Sequence, residues 1–166
     1  MLSSASLTCR VLIVVLVLLS VLQRCSLNAV GRCPDGWTRF GTKCFVLNKE
    51  KLSWMEAQSM CDALNGNLAV PKNSAENRLI ASLFTAGSAW IGVHDVVTEG
   101  HYIAVKTNQA VIYTNWHAGE PNNDNLAHKT EQCVLMFTSG LWNDSECRPA
   151  SLHGSVCECS LSVTGH

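Results

Sequence analysis

The residues best suited to chemistry form two short clusters of oxygen-bearing side chains. Glu120-Pro121-Asn122 and Asn143-Asp144 are separated by a stretch that carries Glu131. Calcium is a hard cation that takes roughly six to eight oxygen ligands, and carboxylates mixed with amide carbonyls suit it. Three carboxylates and two neutral oxygens around one dication make a balanced set. The pattern therefore predicts a Ca²⁺ site formed by Glu120, Asn122, Glu131, Asn143 and Asp144.

The same five residues are the expected sugar-binding residues. A calcium ion with two unfilled positions accepts two neighbouring hydroxyl oxygens of a pyranose, and each hydroxyl keeps a proton to donate and a lone pair to fill. A carboxylate only accepts hydrogen bonds, whereas an amide both donates and accepts. Glu120 and Asn122 are therefore a matched acceptor and donor for a vicinal diol. A cis bond before Pro121 would turn both side chains toward one point.

Catalysis and nucleic-acid binding have no comparable support. His94-Asp95 could suggest acid–base chemistry, but no nucleophile pattern accompanies it. The Cys-Cys-x-x-His signature of secreted calcium-dependent phospholipases is absent from the sequence. The formal net charge is -1, and no basic stripe is available to neutralise phosphates. We expect a binding protein, not an enzyme, and no nucleic-acid partner.

The elements that must position these residues begin with a hairpin and two helices. Segments 37–40 and 44–47 flank a turn at Gly41, as in a β-hairpin. Ser53 with Glu56 has the spacing of a capping box, and Asn73 with Glu76 repeats that spacing. The second helix is expected to end near Gly87. Short strands are then predicted at 90–93, 111–113, 133–137 and 155–159.

Nine cysteines indicate an oxidising compartment. Zinc is disfavoured, because no Cys-x-x-Cys pair occurs and no His lies at a ligand interval from two cysteines. Arg10 precedes the apolar run 11–22, which is shorter than the roughly 20 residues a spanning helix needs. The run fits the core of a signal peptide, with a short signal-anchor as the alternative. We expect a signal peptide over residues 1–29, a domain over 32–160, secretion, and no stable membrane insertion.

The exact cleavage point decides the state of two cysteines. Cleavage is expected after Ala29 or a few residues earlier. If it falls before Cys25, a Cys25–Cys159 disulfide can link the two ends of the mature chain. If it falls after Ala29, Cys159 is left odd and favours an interchain disulfide. A disulfide-linked or non-covalent homo-oligomer would raise avidity for glycans without new contacts.

From Cys33 to Cys159 the chain resembles a C-type lectin domain of the long form. The matching residues are Cys33, Cys44, Cys61, Trp90-Ile91-Gly92, Glu120-Pro121-Asn122, Cys133, Trp142-Asn143-Asp144, Cys147 and Cys157-Glu158. The resemblance implies an α+β fold in which two helices pack on short antiparallel sheets beside a long-loop binding region. It also implies the disulfides Cys33–Cys44, Cys61–Cys157 and Cys133–Cys147.

The resemblance further implies a sugar preference and a second metal site. In this family Glu-Pro-Asn goes with mannose, fucose, N-acetylglucosamine or glucose, which carry equatorial 3- and 4-hydroxyls, whereas Gln-Pro-Asp goes with galactose. Asp95 and Glu99 match the positions of an auxiliary calcium site, to which Asn123 or Asp124 could contribute. Gln132 departs from the acidic residue of that pattern.

These observations favour one function and leave a rival. The favoured function is a secreted, calcium-dependent lectin for mannose-type glycans, acting in defence or as a venom or mucus component. The rival is an interaction protein of the same fold that does not bind sugar, such as a toxin subunit or an ice-binding protein. The intact Glu-Pro-Asn motif favours the lectin.

Overall fold

The computed structural model describes residues 31–123, 130–148 and 152–161. Two helices and eight strands follow one another along these residues, which confirms the predicted α+β class. In chain order they are β1 (Thr38–Phe40), β2 (Lys43–Leu52), α1 (Trp54–Ala63), β3 (Asn67–Leu68), α2 (Ser74–Ser82), β4 (Ser88–His94), β5 (Ile103–Ala104), β6 (Cys133–Phe137), β7 (Trp142–Ser145) and β8 (His153–Ser160).

The eight strands join into one sheet with the order β1-β2-β8-β4-β6-β7, while β3 pairs with β8 and β5 with β4. All strand pairs are antiparallel except β4 and β8, which run parallel at Ala89–Gly154 and Trp90–Ser155. The sequence did not predict this parallel contact. The last strand of the described chain enters the middle of the sheet between β2 and β4. Such long-range insertion leaves no mark on local sequence periodicity.

Both helices begin where the capping residues predicted. The backbone N–H and the hydroxyl of Ser53 both donate to the Glu56 carboxylate, at 2.9 and 2.6 Å. Asn73 Oδ1 accepts the N–H groups of Ala75 and Glu76 at 3.0 Å each. These bonds occupy backbone donors that lack partners in the first turn of a helix.

One predicted helix end and one predicted strand were wrong. Helix α2 ends at Ser82, well before Gly87, because the chain turns there to bury Phe84. Gly87 instead takes a φ of 74° in the turn into β4. Residues 111–113 form no strand, and only an isolated bridge joins Ile103 to Ala110 nearby. Ile112 is 87% exposed, so the apolar run does not mark a buried strand.

The buried apolar side chains form two clusters. One includes Phe45, Ile80, Ile91 and Trp142. The other is built around Trp54, Trp90 and several disulfide-bonded cysteines. The disulfides Cys33–Cys44, Cys61–Cys157 and Cys133–Cys147 are present, as the resemblance implied. Disulfides of this kind stabilise a small domain chiefly by restricting its unfolded chain.

Cys159 is also disulfide-bonded. The expected partner Cys25, the expected signal peptide over 1–29, and Asp124 lie outside the described residues. Within the described ranges, no helix is long and apolar enough to cross a membrane.

A buried ionic network connects β2, α2 and β8. Lys43 Nζ lies 3.2 Å from Glu76 Oε2 and 3.0 Å from Glu158 Oε2. Both carboxylates also accept backbone N–H groups, Glu76 from Lys72 and Glu158 from Val70. Burial raises the pKa of Glu158 despite the opposing charge of Lys43. One ammonium group therefore compensates two buried acids, one of them on the strand next to Cys157.

Candidate functional site

The site is organised around Asp144, which lies on β7 and is completely buried. Its Oδ1 accepts the backbone N–H of Asn122 at 3.2 Å. Its Oδ2 accepts the backbone N–H of Asn123 at 2.8 Å and, more weakly, the hydroxyl of Tyr102 at 3.5 Å. The carboxylate thus fixes the Glu-Pro-Asn loop to the end of the sheet.

The side chains of Glu120 and Asn122 lie side by side. The Glu120–Pro121 peptide bond is cis. Asn122 Nδ2 donates to Glu120 Oε1 at 3.0 Å, so the predicted donor and acceptor form one pair. The second carboxylate oxygen of Glu120, Oε2, is buried and has no hydrogen-bond partner. A buried anionic oxygen without a donor is costly unless a positive charge compensates it.

The carboxylates of Glu120 and Asp144 repel each other. Burial raises the pKa of Glu120, and the adjacent Asp144 carboxylate raises it further, while His117 and Asn122 oppose the effect. Two carboxylates that approach each other favour protonation of one of them or binding of a cation. Tyr102 is influenced by the same charges, because burial and Asp144 raise the pKa of its phenol.

Glu131 reaches this region through its backbone. Its N–H donates to Asn123 Oδ1 at 2.8 Å, and this bond joins the two ends of the loop between them. Asn123 adopts a φ of 52°, a left-handed conformation that Asn tolerates better than most residues. Asn143 is adjacent to Asp144 on β7, and its Nδ2 donates to the Asp144 carbonyl oxygen.

Within the described ranges, no three Asp, Glu, His or Cys side chains form a cluster suited to a metal. The structure brings the side chains of Glu120, Asn122 and Asp144 together, and Glu131 joins them through its main-chain N–H. Two carboxylates and an amide oxygen, one of the carboxylate oxygens buried and unpartnered, are donors that fit a hard cation such as Ca²⁺.

Two of the residues predicted for a second metal site lie next to this cluster. Asp95 is fully buried, and its Oδ2 accepts the Gly100 N–H at 2.8 Å, while its Oδ1 has no hydrogen-bond partner. Burial raises the pKa of Asp95, and the Asp144 charge contributes. The pKa of Glu99 is raised by burial and then by the charges of Asp95 and Asp144. The acidic residues of the two predicted sites therefore share one electrostatic environment.

Tyr102 is a site residue that the sequence did not reveal. It follows the Asp95–Gly100 turn, and nothing in its neighbourhood distinguishes it from other buried aromatic residues. Its ring lies 4.7 Å from that of Trp116, which lies 5.6 Å from Trp142. Trp142 is two residues before Asp144 and donates from Nε1 to Asn77 Oδ1 at 2.7 Å. A chain of packed rings therefore connects the site to the core.

The comparisons with known proteins agree with this fold. The family model described as Lectin C-type domain matches residues 50–159. The chain therefore belongs to the C-type lectin domain family, whose members are typically calcium-dependent and generally carbohydrate-binding, not enzymatic.

Three relatives show the range of this family. The mouse low affinity immunoglobulin epsilon Fc receptor is 34% identical over 140 residues, which cover 82% of this chain and 41% of the receptor. This chain thus spans about two fifths of the length of that relative. The cow CD23 carbohydrate-recognition domain, solved in the presence of a GlcNAc2Man3 oligosaccharide, has a TM-score of 0.72 at 34% identity and covers 79% of this chain and 98% of that domain. The herring type II antifreeze protein has a TM-score of 0.69 at 29% identity and covers 78% of this chain and all of that one.

Proposed function

We propose that this protein is a secreted lectin that binds glycans with equatorial 3- and 4-hydroxyls through a calcium ion. Glu120, Asn122, Glu131, Asn143 and Asp144 would hold the ion. When bound, calcium supplies the positive charge and the open coordination positions that accept two neighbouring sugar hydroxyls. A second ion held by Asp95, Glu99 and Asp124 is part of the same proposal.

One observation carries this proposal more than any other. Glu120 and Asn122 lie together beside Asp144, while Glu120 Oε2 is buried without a hydrogen-bond partner. The residues of this chain then divide the work. Asp144 holds the loop through two backbone N–H groups, Glu120 offers acceptors, and Asn122 offers a donor.

Affinity chromatography tests the proposal directly. The full secreted chain is applied to mannose-agarose with calcium and then washed with EDTA. We expect retention with calcium and release by EDTA. Retention that survives EDTA, or no retention with calcium present, contradicts the proposal.

The sugar preference has its own test, which keeps the charge of the site constant. Replacing Glu120 by Gln and Asn122 by Asp exchanges the acceptor and the donor while leaving the number of carboxylates unchanged. We expect the E120Q/N122D variant to bind galactose-agarose better than mannose-agarose, and the native chain to do the reverse. An unchanged preference would show that these two residues do not read the diol.

The rival function is a protein or ice ligand bound on the same fold. The antifreeze relative supports it, as does Val97, which lies two residues from Asp95 and is 78% exposed. Thermal hysteresis of the purified chain without mannose binding would favour the ice-binding alternative.

A further inference from the structure

A concave surface lies at the opposite end of β4 from the acidic cluster around Asp144. It is a cavity of about 420 Å³ between the end of β2, the residues after α2, and the start of β4 and β8. Strand β4 starts at Ser88 beside this cavity and ends at His94, next to Asp95. Six residues of extended chain separate the two places by roughly 20 Å. The cavity is therefore independent of the acidic cluster.

The walls of this cavity combine apolar and basic groups. Leu47, Lys49 and Lys51 are alternate residues of β2, and Leu83 and Phe84 face them from the end of α2. Lys43 takes part in both of the ion pairs found among the described residues, so neither Lys49 nor Lys51 has an acidic partner there. Two ammonium groups beside an apolar surface suit a ligand that is negative at one end and apolar at the other.

The polar end of the cavity is fixed by a hydrogen bond between two strands. Ser88, which lines the cavity, and His153 are joined by a 2.7 Å hydrogen bond between Oγ and Nδ1. The His153 ring is held edge-on to Trp90, with ring centroids 4.8 Å apart. Burial lowers the pKa of His153, and the positive charge of Lys51 lowers it further. Lys51 therefore acts electrostatically on the polar end of the cavity.

We propose that this cavity binds a small amphipathic anion, with a sulfate or carboxylate at Lys49, Lys51 and Ser88 and an apolar group against Leu83 and Phe84. Gly154 completes the surface between β8 and β2, where a side chain would meet the Asn48 carbonyl oxygen at 3.0 Å from its Cβ. The ligand needs no calcium, because none of the described residues that line the cavity is acidic.

Calorimetric titration of the full chain in EDTA tests the proposal with matched probes. Octyl sulfate carries both groups, inorganic sulfate only the charge, and tetraethylene glycol monooctyl ether only the tail. We expect saturable one-site binding of octyl sulfate and at least about tenfold weaker binding of the other two. The K49Q/K51Q variant should lose about tenfold in octyl sulfate affinity, whereas K106Q, a control for general charge loss, should not.

His153 gives a second, local signal. Its pKa, followed by NMR, should rise when octyl sulfate binds, because the anion offsets the charge of Lys51. The ether should leave this pKa unchanged. Equal losses in K49Q/K51Q and K106Q, equal binding of the uncharged ether, no detectable binding, or an unmoved His153 pKa would each overturn the proposal. Since EDTA is present throughout, none of these results bears on the calcium-dependent function.

Discussion

Replacing Glu120 by Gln should stabilise the metal-free protein, although Glu120 is a proposed calcium ligand. The substitution keeps the shape of the side chain and removes the negative charge that faces Asp144. Gln can also place its amide nitrogen where Glu120 Oε2 now has no donor. Because the group is partly exposed, we discount the relief of repulsion to about 1 kcal/mol in the free energy of unfolding. That corresponds to a rise of roughly 4 °C in the unfolding temperature.

Calcium should stabilise the native protein more than it stabilises the E120Q variant. A ligand at 100 times its Kd stabilises the native state by about 2.7 kcal/mol, which is roughly 10 °C here. Removing one of the three carboxylates should weaken calcium binding by at least about tenfold, since ligand charge sets affinity. At the same calcium concentration the gain of E120Q then falls to about 1.4 kcal/mol or less.

Thermal unfolding with EDTA and with calcium measures both effects in one experiment. E120Q/N122D serves as the matched control, because it restores the third carboxylate and should recover most of the calcium gain. Glu50→Gln removes a carboxylate elsewhere and should change neither value. A lower unfolding temperature for E120Q in EDTA, or an undiminished calcium gain, would refute the repulsion argument.

Three further outcomes are expected. Asn123→Ala should weaken calcium binding about three- to tenfold by calorimetry, because the Glu131 N–H loses its acceptor and Ala tolerates a φ of 52° less well. Lys43→Ala should lower the free energy of unfolding in urea by about 3–5 kcal/mol, because Glu158 stays buried without its cation; adding Glu158→Gln should recover part of this loss. Because the pKa of Glu120 is raised from its ordinary value of 4.5, the metal-free carboxyl group stays protonated at pH values somewhat above 4.5. Calcium affinity should therefore rise with pH through that window and level off above it, and this dependence should flatten in E120Q.

Much of this architecture could be predicted because its signals are local. Capping residues marked both helix starts, and Gly41 marked the hairpin turn. The three disulfides followed from the family resemblance and are present. The proximity of Glu120 to Asn122 was expected from a cis bond before Pro121, within three consecutive residues. Each of these features depends on neighbours in the chain or on a motif that can be read directly.

The missed features depend on residues far apart in the sequence. The parallel contact of β4 with β8 joins residues more than sixty positions apart, so no periodicity reports it. Tyr102 reaches Asp144 across forty-two positions. The run at 111–113 was apolar enough to suggest a strand, yet the Val111 N–H donates to the Tyr102 carbonyl oxygen and Ile112 faces outward. Apolar character alone did not distinguish a strand from an exposed loop.

The metal-free arrangement holds like charges together, and the core explains how it can. Asp144 and Trp142 are alternate residues of β7, so they lie on the same side of that strand. Trp142 is fully buried and bonded to Asn77, while the Cys133–Cys147 disulfide brackets the segment that carries both residues. Packing and the disulfide therefore fix Asp144 before any cation arrives, and the repulsion with Glu120 is a cost that folding elsewhere offsets. A cation that binds there gains affinity because the ligands are already ordered and because it removes that cost.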